Sequence, residues 1–187
     1  SVKNNDEKIL SCVNDLKKNG YCVIENFISK DECDKFIKII DTFITNNQEL
    51  LWVDNEESDI RIMGAENISE KFLSLNIKEF TQNIGSTFLQ QKLKLLMIMA
   101  NKVSFKSNNK GSGGGWHKDS NAEQFKSLLY LSTVGKDNGP FQIVKNSNND
   151  FINFKIFANL KKKFPAYRFT NEEINRIVKK KDIIDFT

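Results

Sequence analysis

The only histidine in this chain of 187 residues is His117, and a carboxylate, Asp119, follows two positions later. In an extended strand, residues i and i+2 project to the same side. An imidazole nitrogen and a carboxylate oxygen can therefore meet at one point. Those groups are two thirds of the 2-His-1-carboxylate triad that holds non-haem Fe(II) and leaves positions open for chemistry. The third member is missing, because the sequence contains no second histidine. His-x-Asp alone recurs by chance, and a single histidine is often just a hydrogen-bonded residue. Two features add to it here. The run Gly113-Gly114-Gly115 directly precedes Trp116-His117 and lets backbone pass close to a site. Further on, Asn138-Gly139-Pro140 turns the chain between two strand-like stretches.

Other chemistries fit the residues less well. The glycine-rich stretch from Gly111 to Gly115 ends in Trp116-His117, not in the Gly-Lys-Ser/Thr that opens a helix in phosphate-binding loops. Its expected place is the rim of a site, with Trp116 packed beside it. A hydrolase would need the same lone histidine and a Gly-x-Ser-x-Gly elbow, which is absent. Cys12, Cys22 and Cys33 are odd in number and contain no C-x-x-C, which argues against a disulfide framework or a structural zinc site and fits a cytoplasmic location. There is no signal-peptide pattern and no membrane-spanning apolar run, so no membrane partner is expected. A net charge of +4 does not call for nucleic acid. The lysine clusters at Lys161-Lys162-Lys163 and Lys179-Lys180-Lys181 read as solvated helix ends, with an anion-binding face as the alternative.

The elements that must position these residues can be traced from periodicity. Ile9, Leu10, Val13 and Leu16 have helical spacing, and Gly20 is placed to stop that helix. Residues 21–24 read as a short strand. Ser29-x-x-Glu32 is a capping box that opens a second helix, striped with Phe36, Ile37, Ile40, Phe43 and Ile44. Residues 45–58 read as loop, 59–63 as strand, and 69–90 as a helix broken near Asn76. Long strands are expected over 92–106 and, most clearly, 125–134, followed by 141–144. A helix over 151–163, a second capping box at Thr170-x-x-Glu173 and a last strand from 181 complete the pattern. Helices dominate the first half and strands the second, so the class is α+β, in one domain over 1–187. On the 125–134 strand, Phe125, Ser127, Leu129 and Leu131 share the more apolar face. Lys126, Leu128, Tyr130 and Ser132 share the other.

Taken together, four segments resemble the phytanoyl-CoA dioxygenase-like family of Fe(II)/2-oxoglutarate oxygenases. They are Gly20-Tyr21-Cys22-Val23-Ile24-Glu25-Asn26-Phe27, Trp116-His117-Lys118-Asp119, Tyr130-Leu131-Ser132 and Asn138-Gly139-Pro140-Phe141-Gln142-Ile143-Val144. The resemblance implies a double-stranded β-helix, a jelly-roll-like core with helices packed around it. It implies His117 and Asp119 as metal ligands, with Fe(II), 2-oxoglutarate and O2 as cofactor and cosubstrates. The implied reaction hydroxylates a small organic substrate while 2-oxoglutarate is decarboxylated to succinate. For the cosubstrate, Lys126 is placed to pair with an acid group and Tyr130 to donate a hydrogen bond, with Gln142 and Lys102 as weaker candidates. The alternative for Lys126 is an ammonium that simply reaches water from a strand end. In the family the third ligand is a histidine on a later strand, followed by a basic residue. Both would lie past Thr187, so the expectation is a chain whose last strands are missing, inactive as it stands. A degenerate, non-catalytic binding domain on the same scaffold is the alternative, and a basic interaction module is a third. The substrate and the oligomeric state are not legible.

Overall fold

The computed structural model describes residues 2–74, 77–106, 113–120, 122–162 and 167–187. The expected helix break near Asn76 and most of the glycine-rich stretch before Gly113 lie outside the described residues. Helix α1 (Val2–Asn19) is followed by Gly20 at φ +84°, whose amide N–H donates to the Leu16 carbonyl at 2.9 Å. A residue with a Cβ would meet Asn148 Oδ1 at 2.8 Å there, so glycine satisfies both the left-handed turn and the close contact. Helix α2 (Lys30–Asn46) opens on the expected capping box. The Glu32 amide donates to Ser29 Oγ at 3.3 Å, and the Ser29 amide donates to Glu32 Oε2 at 3.0 Å.

The Ser29 amide, and after it the Ser29 hydroxyl at 2.8 Å, donate to the Glu32 carboxylate and hold its carboxyl below the ordinary value of 4.5. A depressed folded pKa gives stabilisation that is complete above the unfolded value and lost as pH falls through the lower folded one. Glu32→Gln, which removes the titrating carboxylate but keeps an acceptor for the Ser29 amide, should therefore lower stability near neutral pH. It should also flatten the fall in melting temperature between about pH 5 and pH 3. Thermal melts of both proteins across that range check the expectation; an unchanged acid limb would exclude the cap as its source.

Strands β1 (Trp52–Val53), β2 (Asp59–Met63) and β3 (Met99–Val103) form an antiparallel sheet in that order, with Ile62 opposite Ala100. Between β2 and β3 lie the short helix α3 (Lys71–Ser74) and helix α4 (Ile77–Leu89). Strands β4 (Phe141–Val144) and β5 (Ile183–Phe186) pair antiparallel in a second sheet, separated by α5 (Asp150–Leu160) and α6 (Asn171–Ile177). Helix α6 opens on its capping box at Thr170.

Two apolar clusters hold these parts. In one, Phe36 and Ile40 of α2 pack with Ile62, Ala65, Phe72 and Ala100, and the Phe36 and Phe72 rings lie 5.0 Å apart. In the other, Cys12, Val13 and Leu16 of α1 pack against Phe80 and Ile84 of α4. Cys22 packs on this second cluster, where burial pushes its thiol up to about 12, so it stays protonated. No helix among the described residues is long and apolar enough to cross a membrane.

The chain is α+β, as expected, but the described residues form one three-stranded and one two-stranded sheet, not a double-stranded β-helix. Three of the expected strands shrink or vanish because a strand exists only where another backbone pairs with it. Of residues 92–106, only Met99–Val103 face the five residues of β2. Residues 21–24 and 125–134 have no ladder partner and form no strand. The alternation over 125–132 nonetheless holds for every residue but Ser127, which is exposed although it shares the apolar face. Phe125, Leu129 and Leu131 are partly buried, Phe125 against the α1–α4 cluster and Leu131 against the α2 cluster, while Lys126, Leu128, Tyr130 and Ser132 are exposed.

Candidate metal centre

His117 lies on a short extended segment that pairs antiparallel with residues 167–169. The Phe169 amide donates to the Trp116 carbonyl at 2.9 Å and the Lys118 amide to the Tyr167 carbonyl at 2.8 Å, which sets His117 directly opposite Arg168. Just before it, Gly113, Gly114 and Gly115 adopt φ of +85°, +73° and +89°. Three successive residues in that region are tolerable only for glycine. Gly113 has a second reason to lack a side chain, since a Cβ there would sit 2.5 Å from His117 Cε1. The glycine run is therefore the floor on which the imidazole rests.

The ring is oriented by its own backbone. His117 Nδ1 lies 2.7 Å from the Gly115 carbonyl oxygen. A carbonyl only accepts, and this contact is shorter than the 3.4 Å approach of Nε2 to the Asp119 carboxylate, which assigns the proton of the neutral ring to Nδ1 and the lone pair to Nε2. Nε2 lies 3.4 Å from Asp119 Oδ1. The other carboxylate oxygen, Oδ2, accepts from the Lys126 ammonium at 2.7 Å. That bond leads the causes that hold the Asp119 carboxyl below its ordinary value, with the nearby imidazole contributing less. Asp119 is thus a carboxylate at neutral pH, with one oxygen engaged and the other turned to the imidazole.

This donor set suits a divalent metal in two positions. Adjacent ligand atoms at bond lengths of about 2.1 Å are separated by about 3 Å, close to the spacing seen here. The Nδ1 bond to a backbone carbonyl is the outer contact that commonly fixes a ligating histidine. Among the described residues, no three His, Cys, Asp or Glu side chains converge on one point.

Of the other residues singled out from the sequence, only Lys126 joins this cluster, and it does so through Asp119. The Tyr130 hydroxyl accepts from the Phe141 amide at 2.9 Å and donates to the Phe186 carbonyl at 3.1 Å, closing the open end of the β4–β5 pair. Gln142 Nε2 donates to Asp185 across the same pair at 2.6 Å. Lys102 pairs with Asp41 of α2 at 2.7 Å. Two surface hollows lie elsewhere, one of about 420 Å³ along α2 and one of about 450 Å³ beside α4, and neither is lined by His117 or Asp119.

Sequence reasoning missed Arg168. Its Nη1 donates to the Gly113 carbonyl at 2.5 Å and the Gly114 carbonyl at 3.4 Å, from 55 residues further along the chain than Gly113. No periodicity or motif around Arg168 signals that contact.

A family model described as Phytanoyl-CoA dioxygenase (PhyH) matches residues 16–163, well over half of the chain. No curated protein and no solved structure gives a significant match.

Proposed function

Because the chain belongs to the phytanoyl-CoA dioxygenase family, whose members are in general Fe(II)- and 2-oxoglutarate-dependent oxygenases, we propose that it serves that chemistry on a small organic substrate, with His117 and Asp119 as metal ligands. The observation that carries this reading is the lone imidazole, its proton held by Gly115 and its Nε2 facing Asp119 Oδ1 at 3.4 Å. Bound iron with 2-oxoglutarate would supply oxygen activation, with decarboxylation to succinate and hydroxylation of the substrate. The protein's part is to offer one neutral nitrogen and one anionic oxygen at adjacent positions and to keep the imidazole in the tautomer that can donate its lone pair. Anaerobic titration of the protein with Fe(II) and 2-oxoglutarate tests it. A weak metal-to-ligand charge-transfer band is expected, and saturating iron without such a band would count against the assignment.

Lys126 sits where two effects oppose. Its ion pair with Asp119 is exposed, so orienting the carboxylate is worth at most about 1 kcal/mol. A divalent ion on Oδ1 would face the ammonium across a single carboxylate, where like-charge repulsion is about 1–2 kcal/mol even with water-like screening. Repulsion wins, so Lys126→Met should tighten Co(II) or Mn(II) binding by roughly three- to tenfold. The same change should weaken 2-oxoglutarate binding to the metal-loaded protein if the ammonium turns to the cosubstrate. Calorimetric titration with each ligand reads both effects, and weaker metal binding by the variant would show that orientation dominates instead.

A non-catalytic binding domain on the same scaffold is the second reading. It is favoured by the two-membered ligand set among the described residues. Succinate release under air with 2-oxoglutarate and Fe(II) separates the two, since a binding domain forms the complex without turnover.

A further inference from the structure

We infer that Arg168 is a positioning residue for His117, acting through the glycine run beneath the imidazole; the inference rests on His117 being a metal ligand only for its consequence, not for its geometry. Three successive carbonyls of that run are taken by two side chains. Gly113 and Gly114 accept from Arg168 Nη1, and Gly115 accepts from His117 Nδ1. Glycines lose more conformational freedom on ordering than other residues, so a run of three in left-handed φ does not hold one shape unaided. Arg168 supplies the restraint from a neighbouring segment that is itself paired to residues 116–118.

The geometry makes the coupling direct. Arg168 and His117 are opposite partners in the antiparallel bridge, so their side chains rise from the same face. Gly113, whose carbonyl Arg168 grips, is also the residue whose Cα the imidazole rests on. The guanidinium thus sets the height of the floor and the direction of the carbonyls on the run. The Gly115 carbonyl that holds the imidazole proton on Nδ1 follows from that placement. A planar guanidinium suits this task, because one nitrogen can reach two carbonyls while its orientation is fixed by delocalisation. A lysine in its place offers a point charge with freely turning donors and should do the job partly.

The test reads the imidazole itself and needs no iron. His117 is the sole histidine, so long-range 15N–1H correlation of the metal-free protein displays a single ring. At a pH where the ring is neutral, the parent protein should show Nδ1 protonated and Nε2 bare. Arg168→Leu should shift both nitrogens toward the averaged tautomer mixture of an unrestrained side chain, and Arg168→Lys should lie between. Co(II) affinity should fall by about tenfold in the leucine variant, the size seen when an outer contact to a ligand is lost. Should Arg168→Leu lose cooperative unfolding, Arg168→Met, which keeps an unbranched stem but no donor, replaces it with the same expected shift. A folded variant that keeps the parent tautomer overturns the inference, as does a parent ring protonated on Nε2. Tautomer control without any metal binding would instead leave this inference standing and count against the metal centre.

Discussion

Alanine at His117 should abolish the iron–2-oxoglutarate charge-transfer band and weaken divalent-metal binding by at least about 100-fold, beyond the 10- to 100-fold cost of losing an outer-shell partner. The expectation is large because the ligand set is small. Only one ring nitrogen, Nε2, faces Asp119 Oδ1, and these 187 residues hold no second histidine to replace it. Stability should barely change. The imidazole is about 30% exposed, and the pairing of residues 116–118 with 167–169 is made by backbone groups that alanine keeps. Anaerobic titration followed by absorbance measures the band, and a thermal melt confirms the fold. A band of unchanged strength in the variant would remove His117 from the site and with it the present account of the chemistry.

The largest loss of stability is expected at Asp59 on β2. Its side chain is about 2% exposed. One carboxylate oxygen accepts from Arg61 Nε at 2.8 Å and Nη2 at 2.5 Å, and the other accepts from Asn101 Nδ2 at 3.1 Å on the neighbouring strand. Arg61 also lies under the Trp52 ring, 4.5 Å from its centroid, so Trp52 of β1, Arg61 and Asp59 of β2, and Asn101 of β3 tie the sheet together. Removing the carboxylate strips a guanidinium only 17% exposed of this counter-charge. Breaking such a buried pair from one side costs about 3–5 kcal/mol. Asp59→Ala should therefore lower the melting temperature by about 6–12 °C or more. The exposed pair between Lys102 and Asp41 serves as the contrast, since Lys102→Met should cost less than about 1 kcal/mol. Denaturant unfolding of both variants gives the comparison, and equal losses would refute the burial argument.

Much of this was legible from local chemistry. Ser29 and Glu32, and Thr170 and Glu173, satisfy amides within one turn, so the starts of α2 and α6 could be read from four residues each. Gly20 stops α1 because a left-handed residue is needed at that one place. The face alternation from Phe125 to Ser132 follows from backbone geometry, and apart from the exposed Ser127 it holds although no ladder forms there. The convergence of His117 and Asp119 belongs to the same class, since the two are separated by one residue.

What the order of residues by itself determined, then, were relations spanning a few positions: caps, stops, which side chains share a face, and an imidazole beside a carboxylate. Tertiary structure alone decided which extended stretches become strands, because pairing needs a partner backbone brought from elsewhere, as β2 cuts the expected 92–106 strand to Met99–Val103. It also decided that Tyr130 closes the β4–β5 pair, that Lys126 engages Asp119, and that Arg168 grips the glycine run beneath His117. A hydrogen bond depends on where its two ends arrive, and across 55 residues that place is set by the packing of the whole chain and not by the local sequence.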